Sequence, residues 1–210
     1  MTENKDSIST ELADDAKLLS AALGGPRGMF ESAAPAIVFI TTYAVSSQNL
    51  SVGVYAAVST GLVLAIFRIV KKQTLSQVVA GFIGLAFSAW LAMSSGKAEN
   101  FFLPGILTNI LYALITLISL IINKPALGYV IESIKGTGSN WLSDKNLIKR
   151  YRAMTYLWFG VFSLRVIVMT PLYLANQLTA LGFFKLALGW PLFALAAYAT
   201  YALSKRKITP

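Results

Sequence analysis

Long apolar runs alternate with short polar ones along this chain. The apolar stretches fall at about 33–46, 50–69, 78–93, 103–122, 154–173 and 180–203. Four of them approach the roughly 20 residues that a helix needs to cross a hydrocarbon core. The first and third are shorter, and a helix of about 14 to 16 residues covers only about 21 to 24 Å at 1.5 Å per residue. Those two must begin earlier, thin the bilayer or be covered by protein. The first is expected to reach back to Met29, which makes it 29–46. The pattern predicts an all-α protein, a polytopic transmembrane helical bundle of six spans.

The polar segments supply the punctuation. Residues 1–17 offer too little apolar surface to offset the entropy of ordering and are expected to be a disordered cytoplasmic N-terminus. Leu18, Leu19, Ala22 and Leu23 recur at helical spacing before Gly24-Gly25-Pro26. They predict a short interfacial segment that opens a membrane domain over 18–204. The one long connection, 125–150, carries Leu127, Val130, Ile131 and Ile134 at i, i+3, i+4 and i+7, the signature of an amphipathic helix lying in the inner interface. Gly136 to Asn140 ends that helix as a hinge. Trp141 suits the headgroup belt, and Ser143-Asp144 reads as the N-cap of the fifth span. Pro104 fits the first turn of the fourth span and Pro125 follows its end. The remaining connections on the outer side are short, so the spans pair as three hairpins, and 205–210 is a basic tail.

Basic residues orient this bundle, because short cytoplasmic loops retain Lys and Arg. Lys5, Lys17 and Arg27 precede the first span; Arg68, Lys71 and Lys72 join the second to the third; Lys124, Lys135, Lys145, Lys149, Arg150 and Arg152 join the fourth to the fifth; Lys205, Arg206 and Lys207 close the chain. That places fifteen on one side against Lys97 alone on the other. Six crossings of the cytoplasmic membrane with both termini inside satisfy this distribution, whereas five would break it.

Composition agrees and narrows the functional classes. With 56% hydrophobic and 13% charged residues, the chain does not describe a soluble domain. Six of its nine acids, Glu3, Asp6, Glu11, Asp14, Asp15 and Glu31, lie at the N-terminal end. The net charge of +9 is dispersed between apolar segments, not clustered on a soluble face, so nucleic acid is not the expected partner. The absence of Cys and His removes thiol and imidazole chemistry. With no Asp, Glu or His inside the apolar stretches there is no proton relay and no carboxylate site for sodium, and no paired groups for intramembrane proteolysis. The chain is therefore read as non-enzymatic, with no catalytic residue, metal site or cofactor.

Two cations belong to neither side. Arg165 sits within Phe162-Ser-Leu-Arg165-Val-Ile-Val-Met169, about 12 Å from the outer end of its span, a long reach for snorkelling. Lys185 lies about five residues into the sixth span from that same side. One reading makes them a cationic pocket for an anionic lipid headgroup or solute, Arg165 giving a bidentate fork and Lys185 a point charge. The structural reading has Arg165 bonded to Asn109, to Glu99 or to carbonyls freed by prolines, while Lys185 snorkels. Lys145, Lys149, Arg150 and Arg152 are the candidates for contact with anionic inner-leaflet lipid, at about 1 kcal/mol per basic residue near the surface. Gly81 and Gly84 offer a small-residue face for helix contact, with another protein or a second copy as partner.

Several of these pieces together resemble a family. They are Gly24-Gly25-Pro-Arg27-Gly28 with Glu31 and Pro35-Ala-Ile-Val-Phe39; Lys124-Pro125 through Gly136-Thr-Gly-Ser-Asn-Trp141; Leu164-Arg165 with Pro171-Leu-Tyr173; and Lys185-Leu-Ala-Leu-Gly189-Trp-Pro191-Leu-Phe. In that order and spacing they resemble an uncharacterised actinobacterial multi-pass membrane family, a domain of unknown function, over about Leu18 to Lys205. That family is in turn similar to the intracellular septation protein A group, through topology and the Lys124-Pro125 and Trp158 regions. The resemblance implies a role in cell-envelope or division processes through contacts with other membrane proteins, and no catalytic residues. Arg165 has no evident counterpart in the septation group.

Overall fold

A computed structural model describes residues 25–72, 75–136 and 140–205. The expectations for the N-terminal arm, for the interfacial segment up to Leu23, for the hinge residues 137–139 and for the tail beyond Lys205 lie outside the described residues. Among those described there is helix and no strand. Eight α-helices run as α1 (Gly25–Val45), α2 (Leu50–Val70), α3 (Leu75–Ser95), α4 (Leu103–Ile121), α5 (Ala126–Lys135), α6 (Lys145–Leu174), α7 (Leu178–Ala187) and α8 (Trp190–Lys205). Short 3-10 turns at Ala98–Phe101 and Asn140–Ser143 precede α4 and α6.

Among the described residues, five helical paths are long and apolar enough to cross a membrane: α2, Val78–Ser95 within α3, α4, α6, and Leu178–Ser204 across α7 and α8. α1 has 21 residues, and its apolar part among the fully described ones is Ala33–Val45. This is the stretch already short in the sequence. The third stretch, 78–93 in the sequence, lies within the longer α3, which begins at Leu75 and runs on through Ser94 and Ser95, whose hydroxyls bond back to the Leu91 carbonyl at 3.3 and 2.6 Å.

The chain forms two compact units, Met1–Ala86 and Phe87–Pro210. In the first, α1 packs along α2, and small residues on α2 let the helices close. A Cβ at Gly53 would lie 3.2 Å from Tyr43 Cβ and 3.3 Å from the Phe39 ring. Phe39 and Ala57 are fully buried there. At the far end of the pair, Arg68 Nε donates to Glu31 Oε2 at 3.0 Å. The Leu85 side chain on α3 occupies the space above Gly61.

In the second unit, α4 and α6 lie along one another, and α6 is also the helix that α5, α7 and α8 pack against. The base of α6 is set as the sequence predicts: Asp144 Oδ1 accepts from the Asn146 and Leu147 amides at 2.8 and 3.3 Å. α6 then runs without interruption from Lys145, so the end of the long connection and the fifth span are one helix. α5 forms where the amphipathic spacing puts it and stops at Gly136, whose φ of +70° is the left-handed cap that glycine takes at no steric cost.

Trp141 corrects the reading of that connection. Expected in the headgroup belt, it is 3% exposed, with ring-edge contacts to Tyr129 and Tyr151 at 5.2 Å. With Tyr151 and Met154 it forms a core joined by Leu127, Ile131, Leu142, Leu147, Ile148 and Leu203. The ring lies directly over Gly128, where a Cβ would come within 2.5 Å of it. Beneath it the Tyr151 hydroxyl donates to the buried Glu132 carboxylate.

Candidate functional site

Both intramembrane cations lie in the second unit, on consecutive helices. Arg165 stands nine residues before the end of α6 and Lys185 seven residues after the start of α7. At 1.5 Å per residue this puts them about 13 and 10 Å from the turn that joins the two helices. By that measure they lie at about the same depth.

The sixth predicted span is not a continuous helix. α7 ends at Ala187, the Leu188 amide bonds back to the Phe184 carbonyl at 2.9 Å, and α8 begins at Trp190. Two residues explain the break. Pro191 has no amide to give to the preceding turn. At Gly189 the chain bends so tightly that a Cβ would sit 2.6 Å from the Lys185 carbonyl oxygen and 3.2 Å from that of Leu186. Lys185 is thereby in the last turn of a short helix, where a cation meets the negative end of the peptide dipoles.

Each cation rests on an aromatic ring. Arg165 Cζ is 5.1 Å from the centroid of Phe193, in the first turn of α8. Lys185 Nζ is 5.0 Å from Phe102 and 5.7 Å from Phe101. Both platforms are held from behind. Phe193 packs with Trp158 and Phe162 of α6 at 5.5 and 6.2 Å, and Trp158 Nε1 donates to Thr200 Oγ1 at 3.0 Å, which ties α6 to α8. Phe101 and Phe102 are almost wholly buried, and the adjoining Asn100 accepts from the Tyr173 hydroxyl at 2.5 Å while donating to Ser95 Oγ at 2.7 Å.

The structural reading of Arg165 required a hydrogen-bond partner, and the expected ones are elsewhere. Asn109 Nδ2 donates to the Gly105 carbonyl of its own helix at 2.6 Å. Glu99 forms no ion pair with either cation. Arg165 Nε is buried without an acceptor, and among the described residues none accepts a hydrogen bond from Arg165 or Lys185. Magnitudes show why this matters. A charged residue at the centre of a span costs about 2.5–3.5 kcal/mol on the insertion scale, and a desolvated cation–π contact returns about 2 kcal/mol or more. The rings offset part of the cost and leave the guanidinium donors without oxygen.

The four inner candidates divide. Lys145 and Lys149 are exposed on the first turns of α6. Arg150 is half-buried, with interactions of its own. Arg152 is also half-buried, and its Nη2 donates to Asn123 Oδ1 at 2.6 Å, clasping the turn after α4 to the base of α6. That contact gives Arg152 a structural partner, a role hidden in sequence because Asn123 lies 29 positions away. Gly81 meets nothing within 4 Å of a Cβ.

A family model covers residues 23–210, which includes all eight helices and both cations. The chain belongs to the DUF3159 family, described as proteins of unknown function. Comparison with curated proteins and with solved structures gives no match. Within a DUF3159 chain, then, the function has to be argued from the residues.

Proposed function

We propose that this DUF3159 protein is a non-enzymatic, multi-pass protein of the cytoplasmic membrane that holds an anionic group between Arg165 and Lys185, as a lipid-handling protein or a small transporter would. One observation carries the reading. Two cations at one level of an apolar unit stand on aromatic platforms with no acceptor among the described residues, and an anion from outside the chain supplies what both lack. The break between α7 and α8 supports it, since interrupted helices line binding sites in membrane proteins. Six crossings with both termini cytoplasmic are the reading that the fifteen-to-one distribution of basic residues supports, with α1 as the sixth.

Thermal unfolding of the full chain in neutral detergent tests this reading. Phosphatidylglycerol should raise the midpoint of the wild type more than phosphatidylcholine does, by about 2.7 kcal/mol of stabilisation at a hundredfold excess over the dissociation constant. Arg165→Leu should abolish the difference. Equal shifts in both proteins would sink the site.

A second reading, support of envelope or division processes, draws on a different feature. Exposed Lys145 and Lys149 lie in the same unit as the exposed apolar side chains of Tyr129 and Val130 on α5, a combination suited to an anionic inner leaflet or to another membrane protein. The resemblance to the septation group that we read in the Lys124-Pro125 and Trp158 regions would point the same way.

A further inference from the structure

We infer that the group held between Arg165 and Lys185 is a phosphoryl group, a tetrahedral oxyanion presenting at least three oxygens, in preference to a carboxylate. The inference rests on the anion site proposed above and names its ligand class.

Donor geometry makes the choice. The guanidinium carries its donors in one plane, and the two oxygens of a carboxylate match that fork in a single bidentate pair. A carboxylate so placed has only the second lone pairs of the same two oxygens left for any further donor. Lys185 stands on a separate platform, with Phe101 and Phe102 beneath its ammonium while Phe193 lies beneath Arg165. A tetrahedral group offers its three donors a further oxygen that the fork does not use.

Charge points the same way. No carboxylate among the described residues pairs with either cation, so the site carries two positive charges, and a phosphate monoester brings up to two negative ones. A lone carboxylate would leave one cation unmatched in apolar surroundings, where an unpaired charge is costly. Leu164, Ile167 and Phe183, near the two cations in sequence, have apolar side chains exposed at the unit's surface. An alkyl chain attached to the phosphoryl group can lie there.

The test uses the full chain in neutral detergent with three probes: monododecyl phosphate, dodecanoate and inorganic phosphate. Binding of monododecyl phosphate should exceed that of dodecanoate by about tenfold or more, the size of one charge-assisted hydrogen bond. Lys185→Met should remove that advantage while leaving dodecanoate affinity unchanged. Arg165→Lys, which keeps the charge and loses the fork, should weaken both amphiphiles and serves where Arg165→Gln fails to fold. Competition by inorganic phosphate at comparable concentration assigns the site to the free ion; failure to compete assigns it to a lipid phosphate; either supports the phosphoryl class. Dodecanoate binding as tightly as the phosphate, with Lys185→Met weakening both alike, would overturn the inference and leave the anion site standing. Binding of all probes that is indifferent to Arg165 and Lys185 would remove the site itself.

Discussion

At the scale of single residues, the informative positions are those where a side chain has no room or no partner. Gly128 lies under the face of Trp141, so Gly128→Ala should destabilise the core at the base of α6 by about 1–3 kcal/mol. Gly105→Ala, where a Cβ meets nothing within 4 Å, should leave the unfolding midpoint unchanged or slightly raised. A comparison of the two midpoints in detergent decides this; equal losses would mean that Trp141 does not sit where described. Tyr151→Phe removes one donor from the buried Glu132 carboxylate and should cost about 1–3 kcal/mol. Faster amide exchange over Ala126–Lys135 would report that loss. Arg165 was conspicuous in sequence because it is a permanent charge in an apolar run. Its ring partner was not, since Phe193 lies 28 positions away on a helix the sequence did not separate from its predecessor.

At the scale of elements, each apolar stretch of the sequence lies on helix, and the differences have physical causes. The amphipathic spacing of Leu127, Val130 and Ile131 gave α5, and the polar pair Ser143-Asp144 gave the cap of α6. Periodicity carries no information about tertiary burial, so Trp141 looked like an interface residue when it is the centre of a small core. It also could not show that the last span is two helices, because Leu178 to Ser204 is apolar on both sides of the break. The local signal was present in Gly189-Trp-Pro191. Gly189→Ala should disturb the backbone that positions Lys185, since the new Cβ would strike two carbonyl oxygens. Anion affinity is expected to fall about tenfold, the scale of one misplaced charge-assisted bond, with no change in charge. Titration of that variant beside Leu188→Ala checks it; an unaltered Gly189→Ala would show that the break does not position the site.

At the scale of the whole molecule, topology and site make separate demands. The chain contains no cysteine, so single cysteines placed at Ser47, Lys97 and Asn176 can be labelled from one face and cysteines at Lys71 and Ser143 from the other. Six crossings require all three of the first set on the side opposite the other two, and a further cysteine at Ser7, ahead of α1, on the side of Ser143; Ser7 sharing a side with Ser47 would reduce the count to five. The site demands an anion that the polypeptide does not provide, and native mass spectrometry of the full chain released from its own membrane into neutral detergent addresses this most directly. The wild type should carry a bound phosphate-bearing species that is absent from the Arg165→Gln, Lys185→Met double variant extracted in the same way. A wild type that emerges with no adduct, or an adduct retained in full by the double variant, would contradict the account.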